Sequence, residues 1–392
     1  MILIVGYGCR SKLPARFSAL PQMGNFSIVG NRSVRYWRMM RSSTSSNTFL
    51  PSLHLLRGVC AVGVACYHFM AWQYNVVISS MGTFGVYTFF TLSAVVLLHR
   101  HSPEFSESIS RSSLLTFYRL RIARVVPLLA AVAIFGMLLA HLKSGVPIAD
   151  VWSKTFLTAS GLMAFHMPGF ISTTAGAWSL GIEIAFYIVF PVLALLLAGS
   201  SVRFLAALVV MALFAQYALL VSLPETTSPD FWDKYIMPLT FAPFFAFGFL
   251  IHAAPRSETR KNFVCAILAV ALLFGFSVVI EANVYRAGPA YWLLTSLSAG
   301  SVYFALNAKM PAALDRFSHF LGDISYSLYL THWMAYELIK GRDLGFAAIP
   351  VFAISALAIS VLAWQIIEKP MRRKLSPRRP HRGPAVTASA HS

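Results

Sequence analysis

In LRGVCAVGVACYHF, Leu56 to Phe69, an arginine and a histidine stand eleven residues apart in a run whose other side chains suit lipid. At 100° per residue this spacing is three turns plus about 20°, so Arg57 and His68 share one helix face, about 16 Å apart along the axis. Such a polar stripe inside a membrane costs several kcal/mol unless it faces a bundle interior or a wet cavity. AWSLGIEIAFY, Ala177 to Tyr187, adds Ser179 and Glu183 at i, i+4, and YSLYLTHWM, Tyr326 to Met334, adds His332. Measured from the side on which each helix enters, His68, Glu183 and His332 are expected at similar depth. Two imidazoles and a carboxylate in one layer are the makings of a general base whose tautomer is set by its partner. The structural alternative is a polar cluster that only fixes helix packing. FYRLRIARVVP, Phe117 to Pro127, holds Arg119, Arg121 and Arg124, of which Arg121 and Arg124 project to nearly the same side. Arginine forks suit phosphates, although basic residues at a helix mouth also serve topology alone.

The elements that must position these groups follow from composition. Of 392 residues, 57% are hydrophobic and 12% charged, with a mean hydropathy of +0.66, which excludes an ordinary soluble domain and indicates a polytopic membrane protein. Apolar runs of roughly 20 residues, the length that spans the hydrocarbon, recur after residue 50. Lipid offers backbone groups no partners, so these runs must be helices, and the expected fold is all-α: a bundle of about ten transmembrane helices. The expected spans are 53–76, 83–99, 122–141, 176–199, 203–222, 235–253, 262–281, 290–307, 317–339 and 345–367, with 151–165 too short and polar to cross. No repeat and no inverted pair of halves is visible, which argues against a transporter or flippase for a glycan or anionic metabolite, the second functional class considered.

Lysines and arginines in the connections number 22 on one side and 6 on the other. By the positive-inside rule both termini face the cytoplasm. The formal charge of +18 is then mostly topogenic, with membrane lipids as its partner and no nucleic acid expected. Residues 1–50 and 375–392 read as disordered basic tails flanking a membrane domain at 51–374. Cys9, Cys60, Cys66 and Cys265 show no metal-ligand spacing, and no metal site is expected.

Six motifs in order resemble acyltransferase family 3, integral membrane proteins that O-acylate bacterial surface and secreted glycans. LRGVCAVGVACYHF looks like that family's first helix, and GVYTFFTLSAVVLL like its second. RLRIARVVP is similar to its RxxR loop, AWSLGIEIAFYIVFP to its WSLxxExxFY segment, ISYSLYLTHW to its SYxxYLxHW helix and IEKPMRR to its closing IE[RK]P. Departures are Ile184 where a second acid is frequent, Ala94 in place of a glycine, and Thr331 and Met334 beside His332. No C-terminal esterase-like domain of the kind frequent in the family is expected after the last span.

The resemblance implies transfer of an acyl group, usually acetyl, from cytoplasmic acyl-CoA to a sugar hydroxyl at the outer half of a bacterial inner membrane. Arg121 and Arg124 would hold the phosphates of the co-substrate and Arg57 would line the path, with Ser179, Trp178 and Tyr326 as further substrate-binding candidates. His68 would be the base or a transient acyl carrier, oriented or charged by Glu183, with His332 a candidate for either role. The expected partners are acyl-CoA and a carbohydrate acceptor.

Overall fold

In the computed structural model, residues 50–165, 174–225, 228, 231–279 and 288–375 are described. The two tails expected at 1–50 and 375–392 lie almost wholly outside the described residues. Among the described residues the secondary structure is helical, with one isolated bridge between Thr259 and Ala308 and no strand.

The first helix, α1 (Pro51–Tyr74), starts with Pro51 in its first turn, where the missing N–H costs nothing, and stops at Asn75 in the left-handed region. It is followed by α2 (Ser79–Phe105) and by α3 (Arg111–Ser144), which is capped by the Ser110 hydroxyl on the Ser113 N–H. Next come the short α4 (Ile148–Ser160), α5 (Ala177–Leu196), α6 (Val202–Val221), α7 (Phe231–Tyr235) and α8 (Ala242–Ala253). The last group is α9 (Arg260–Val279), α10 (Pro289–Leu306), α11 (Asp315–Glu337), α12 (Ala348–Ala363) and α13 (Lys369–Leu375). A π-helical turn, Trp364–Glu368, joins α12 to α13.

Among the described residues seven helices are long and apolar enough to cross a membrane: α1, α2, α3, α5, α6, α9 and the stretch Gly345–Leu375. The other three expected spans correspond to the shorter apolar piece Pro238–Ala253, where Pro238 and Pro243 stand in the first turns of a 3-10 helix and of α8, to α10 and to α11. The stretch expected not to cross, 151–165, overlaps the short α4 and is not among the seven.

Burial sorts the helices into a centre and a periphery. In α2, 72% of the apolar window is buried, against 22% in α6, α9 and the last crossing. The latter three turn Phe204, Phe214, Val264 and Ile354 outward, as lipid-facing helices do. The most extensive helix pairing is α1 with α11, and it depends on small residues. A Cβ on Gly322 would sit 2.6 Å from the His54 ring, and one on Gly58 would sit 2.2 Å from Leu321. This close approach lets Arg57 and His68 on α1 reach α11 directly.

Candidate functional site

Two polar constellations lie along the α1 and α11 seam. At the end away from the arginines, His332 is fully buried and its Nδ1 lies 2.7 Å from the Tyr329 carbonyl. A carbonyl only accepts, so this nitrogen carries the proton. In a neutral ring Nε2 is then a lone pair, and it faces His68 Nδ1 at 2.9 Å. His68 Nδ1 must therefore donate, which leaves His68 Nε2 with its lone pair uncommitted by this chain of bonds. Ring stacking holds the arrangement: His68 packs on His332 with centroids 4.9 Å apart and on Trp72 at 4.9 Å, one helical turn further along α1.

Toward the other end, α1, α2, α3, α5 and α11 enclose a cavity lined by Arg57, Arg100, Arg121, Arg124 and Glu183, with Ser93, Tyr187 and Tyr329. Four guanidiniums face one carboxylate, so the space suits a polyanion. Arg57 is held by α11, donating from Nε to Ser325 Oγ at 2.8 Å and from Nη2 to the Gly322 carbonyl. Arg121 lies over the rings of Phe117 and Tyr187, 5.8 Å from each centroid, and donates to His101 Nε2 at 3.4 Å. His101 is tied in turn to Glu104, with Nδ1 3.1 Å from Oε2.

Glu183 belongs to this cavity and not to the histidine layer. Its Oε1 accepts from Ser93 Oγ at 2.6 Å and from Tyr187 OH at 2.5 Å. The reason is where α5 begins. The Gly176 carbonyl just before it lies 3.0 Å from the hydroxyl of Tyr329, which sits one turn inward of His332 on α11. Glu183 follows Gly176 by seven residues and so lies about 10 Å deeper. The expected Glu183 to His68 partnership is corrected accordingly: the partner of His68 is His332.

The remaining candidates divide. Ser179 and Tyr326 line the cavity, Tyr326 donating to the Val125 carbonyl at 2.6 Å. The hydroxyls of Ser179 and Tyr329 are 2.8 Å apart and both 3.0 Å from the Gly176 carbonyl, on the side of the cavity nearest the histidines. Gly176 has φ +78°, and a Cβ there would meet the Tyr329 hydroxyl at 3.0 Å, so glycine suits the position twice over. Trp178 does not line the cavity. Its ring packs 5.6 Å from Phe241 and 6.0 Å from Tyr235 in an aromatic cluster.

Sequence reasoning missed Ser93, Arg100, Tyr187 and Tyr329. Tyr187 stands at i+4 from Glu183 and could have been found from that spacing. Ser93 is brought in by the packing of α2 on α5, for which the sequence carries no local signal. Among the described residues no group of three or more His, Cys, Asp or Glu is placed to hold a metal ion.

The family model described as an acyltransferase domain matches residues 50–368. The chain is similar to the acyltransferase MdmB of Streptomyces mycarofaciens, 26% identical over 84% of this chain and 94% of that protein. It is also similar to a putative acetyltransferase, ORF330, of Acidianus two-tailed virus, 24% identical over 77% of this chain and 88% of that one. A third relative is the O-acetyltransferase OatA of Staphylococcus aureus, 24% identical over 84% of this chain, which spans 58% of OatA. No solved structure matches.

Proposed function

The chain belongs to acyltransferase family 3, and we propose that it moves an acetyl group from acetyl-CoA, bound at the arginine cavity, to a sugar hydroxyl of a surface or secreted glycan on the histidine side. The observation that carries this is the relation between the two constellations. A cationic cavity holding Arg57, Arg121 and Arg124 lies at one end of the α1 and α11 seam. About 16 Å further along α1, the bond from His68 Nδ1 to His332 Nε2 leaves a basic nitrogen.

The arginines bind the phosphates of the co-substrate and leave its long thioester arm to run toward the histidines. His68 Nε2 takes the proton from the acceptor hydroxyl as the oxygen attacks the thioester carbonyl. The tetrahedral intermediate collapses with loss of the C–S bond, and the thiolate leaves with the proton from His68. The new bond is C–O, the broken one C–S, and one proton has passed from oxygen to sulfur. His332 is a positioning residue, since its Nε2 stabilises the His68 Nδ1–H throughout. By the positive-inside rule the arginine end is cytoplasmic, and this reading puts the chain in a bacterial inner membrane with the sugar acylated on the far side.

The test is release of CoA thiol from acetyl-CoA by purified protein in nanodiscs with an extract of host glycans. Wild type should release thiol in a glycan-dependent manner and His68→Ala should not. Equal release by both would refute the role of His68.

A further inference from the structure

Beyond the histidine pair, on the side away from the arginines, lies a second pocket, of about 310 Å³, lined by Trp72, Ala175, Trp333, Tyr336, Glu337 and Lys340. Its size falls in the lower part of the range for small-molecule sites, roughly 300–1,000 Å³. Trp72 is shared between the pocket and the proposed base, because its ring stacks on His68 at 4.9 Å and lies 5.8 Å from His332, nearly parallel at 7°. A ligand in this pocket is therefore one ring away from the imidazole.

The walls and the rim differ in chemistry. Trp72 and Tyr336 pack with ring centroids 5.2 Å apart, and the Tyr336 hydroxyl donates to the Trp72 carbonyl at 2.9 Å, which fixes both rings. Trp333 completes the aromatic wall, and its indole Nε1 is buried with no hydrogen-bond partner among the described residues. At the rim Glu337 accepts from Lys143 at 2.9 Å and from Lys340 at 3.3 Å. Aromatic faces joined to a carboxylate and ammonium rim match one ligand class well. A pyranose ring has an apolar C–H face that lies on an indole and a girdle of hydroxyls that pair with charged groups. An apolar alcohol would leave the rim unused, and a phosphate would be drawn to the four arginines at the opposite end.

We propose that the Trp72, Trp333 and Tyr336 pocket is the acceptor site and binds a single pyranose ring of the acceptor against Trp72, beside the histidine pair. This rests on the acyltransferase reading and adds the location and chemistry of acceptor recognition. The test is equilibrium dialysis of radiolabelled methyl hexopyranosides against the full chain in nanodiscs, with cyclohexanol as competitor and CoA binding measured in parallel. The same dialysis is run on His68→Ala, so that acceptor binding is read separately from transfer.

A methyl pyranoside should bind to wild type and to His68→Ala alike, and cyclohexanol should not displace it. Trp333→Ala should weaken binding tenfold or more, with CoA binding retained as proof of the fold, and Trp333→Phe should keep most of it. Ala175→Leu, which fills the pocket, should abolish it. The proposal is overturned if no pyranoside binds, if cyclohexanol competes equally, or if Ala175→Leu binds the sugar as wild type does. Loss of transfer in His68→Ala with sugar binding intact would support both readings. Intact sugar binding without any transfer by wild type would overturn the reaction and leave the pocket standing.

Discussion

His332 Nε2 lies 2.9 Å from His68 Nδ1, and the opposite nitrogen of His332 is committed to the Tyr329 carbonyl. The direction of the proton chain is thereby set by a backbone carbonyl, a group that cannot titrate. No carboxylate is needed to choose the tautomer of His68, and Glu183 is free for other work at the arginine cavity.

Replacing His332 tests this relay. His332→Ala should lower kcat for transfer by about 10²-fold, within the 10²–10⁴ that a positioned base contributes, while KM for acetyl-CoA stays within twofold. His332→Gln offers a carbonyl oxygen to the His68 Nδ1–H and should recover a measurable part of the rate. A purely structural histidine would show no such rescue. Steady-state thiol release on folded protein in nanodiscs decides between them.

The arginines should act on donor affinity. Arg121 and Arg124 line the cavity, whereas Arg119 on the same helix is exposed and does not. Each charge-assisted hydrogen bond to a phosphate is worth about 1.5–3 kcal/mol. Arg121→Ala and Arg124→Ala should therefore each weaken CoA binding about tenfold or more, and Arg119→Ala should leave it near wild type. Calorimetric titration with CoA is the measurement.

Glu183 ties α5 to α2 in the cavity wall by accepting from both Ser93 and Tyr187. Glu183→Ala strands both hydroxyls, one of them on a fully enclosed tyrosine, and should cost about 1–3 kcal/mol of stability. Glu183→Gln keeps an acceptor oxygen and should recover most of that loss. Thermal unfolding in detergent, followed by tryptophan fluorescence, reports the difference.

The α1 and α11 seam should tolerate no added bulk. In Gly322→Ala the new Cβ would stand 2.6 Å from the His54 ring, so either the ring or the helix must move. Such overpacking should cost about 1–3 kcal/mol. It should also slow transfer, because Arg57 depends on the Gly322 carbonyl and on Ser325.

Much of the fold is legible because its signals are local. Apolar runs of membrane length and basic connections are written residue by residue, and Arg57 and His68 share a face by arithmetic alone. The meeting of His68 with His332 is partly legible, since both were placed at one depth. Glu183 was misplaced because its depth depends on where α5 begins, and Tyr329, on a helix 150 residues later, sets that point through Gly176. Trp178 falls outside the arginine cavity because its ring packs on Tyr235 and Phe241, from a distant segment that the local sequence does not announce. Ser93 and the Trp72, Trp333 and Tyr336 pocket arise only from helix packing.

The proposed path receives its donor at the arginine end and delivers the acyl group at the histidine end. The most direct test encloses labelled acetyl-CoA inside vesicles with the arginine end inward and places the glycan acceptor outside. Labelled glycan should appear in the outer solution with free CoA retained inside, and neither should form with His68→Ala. Labelled glycan formed only when donor and acceptor share one compartment would contradict it.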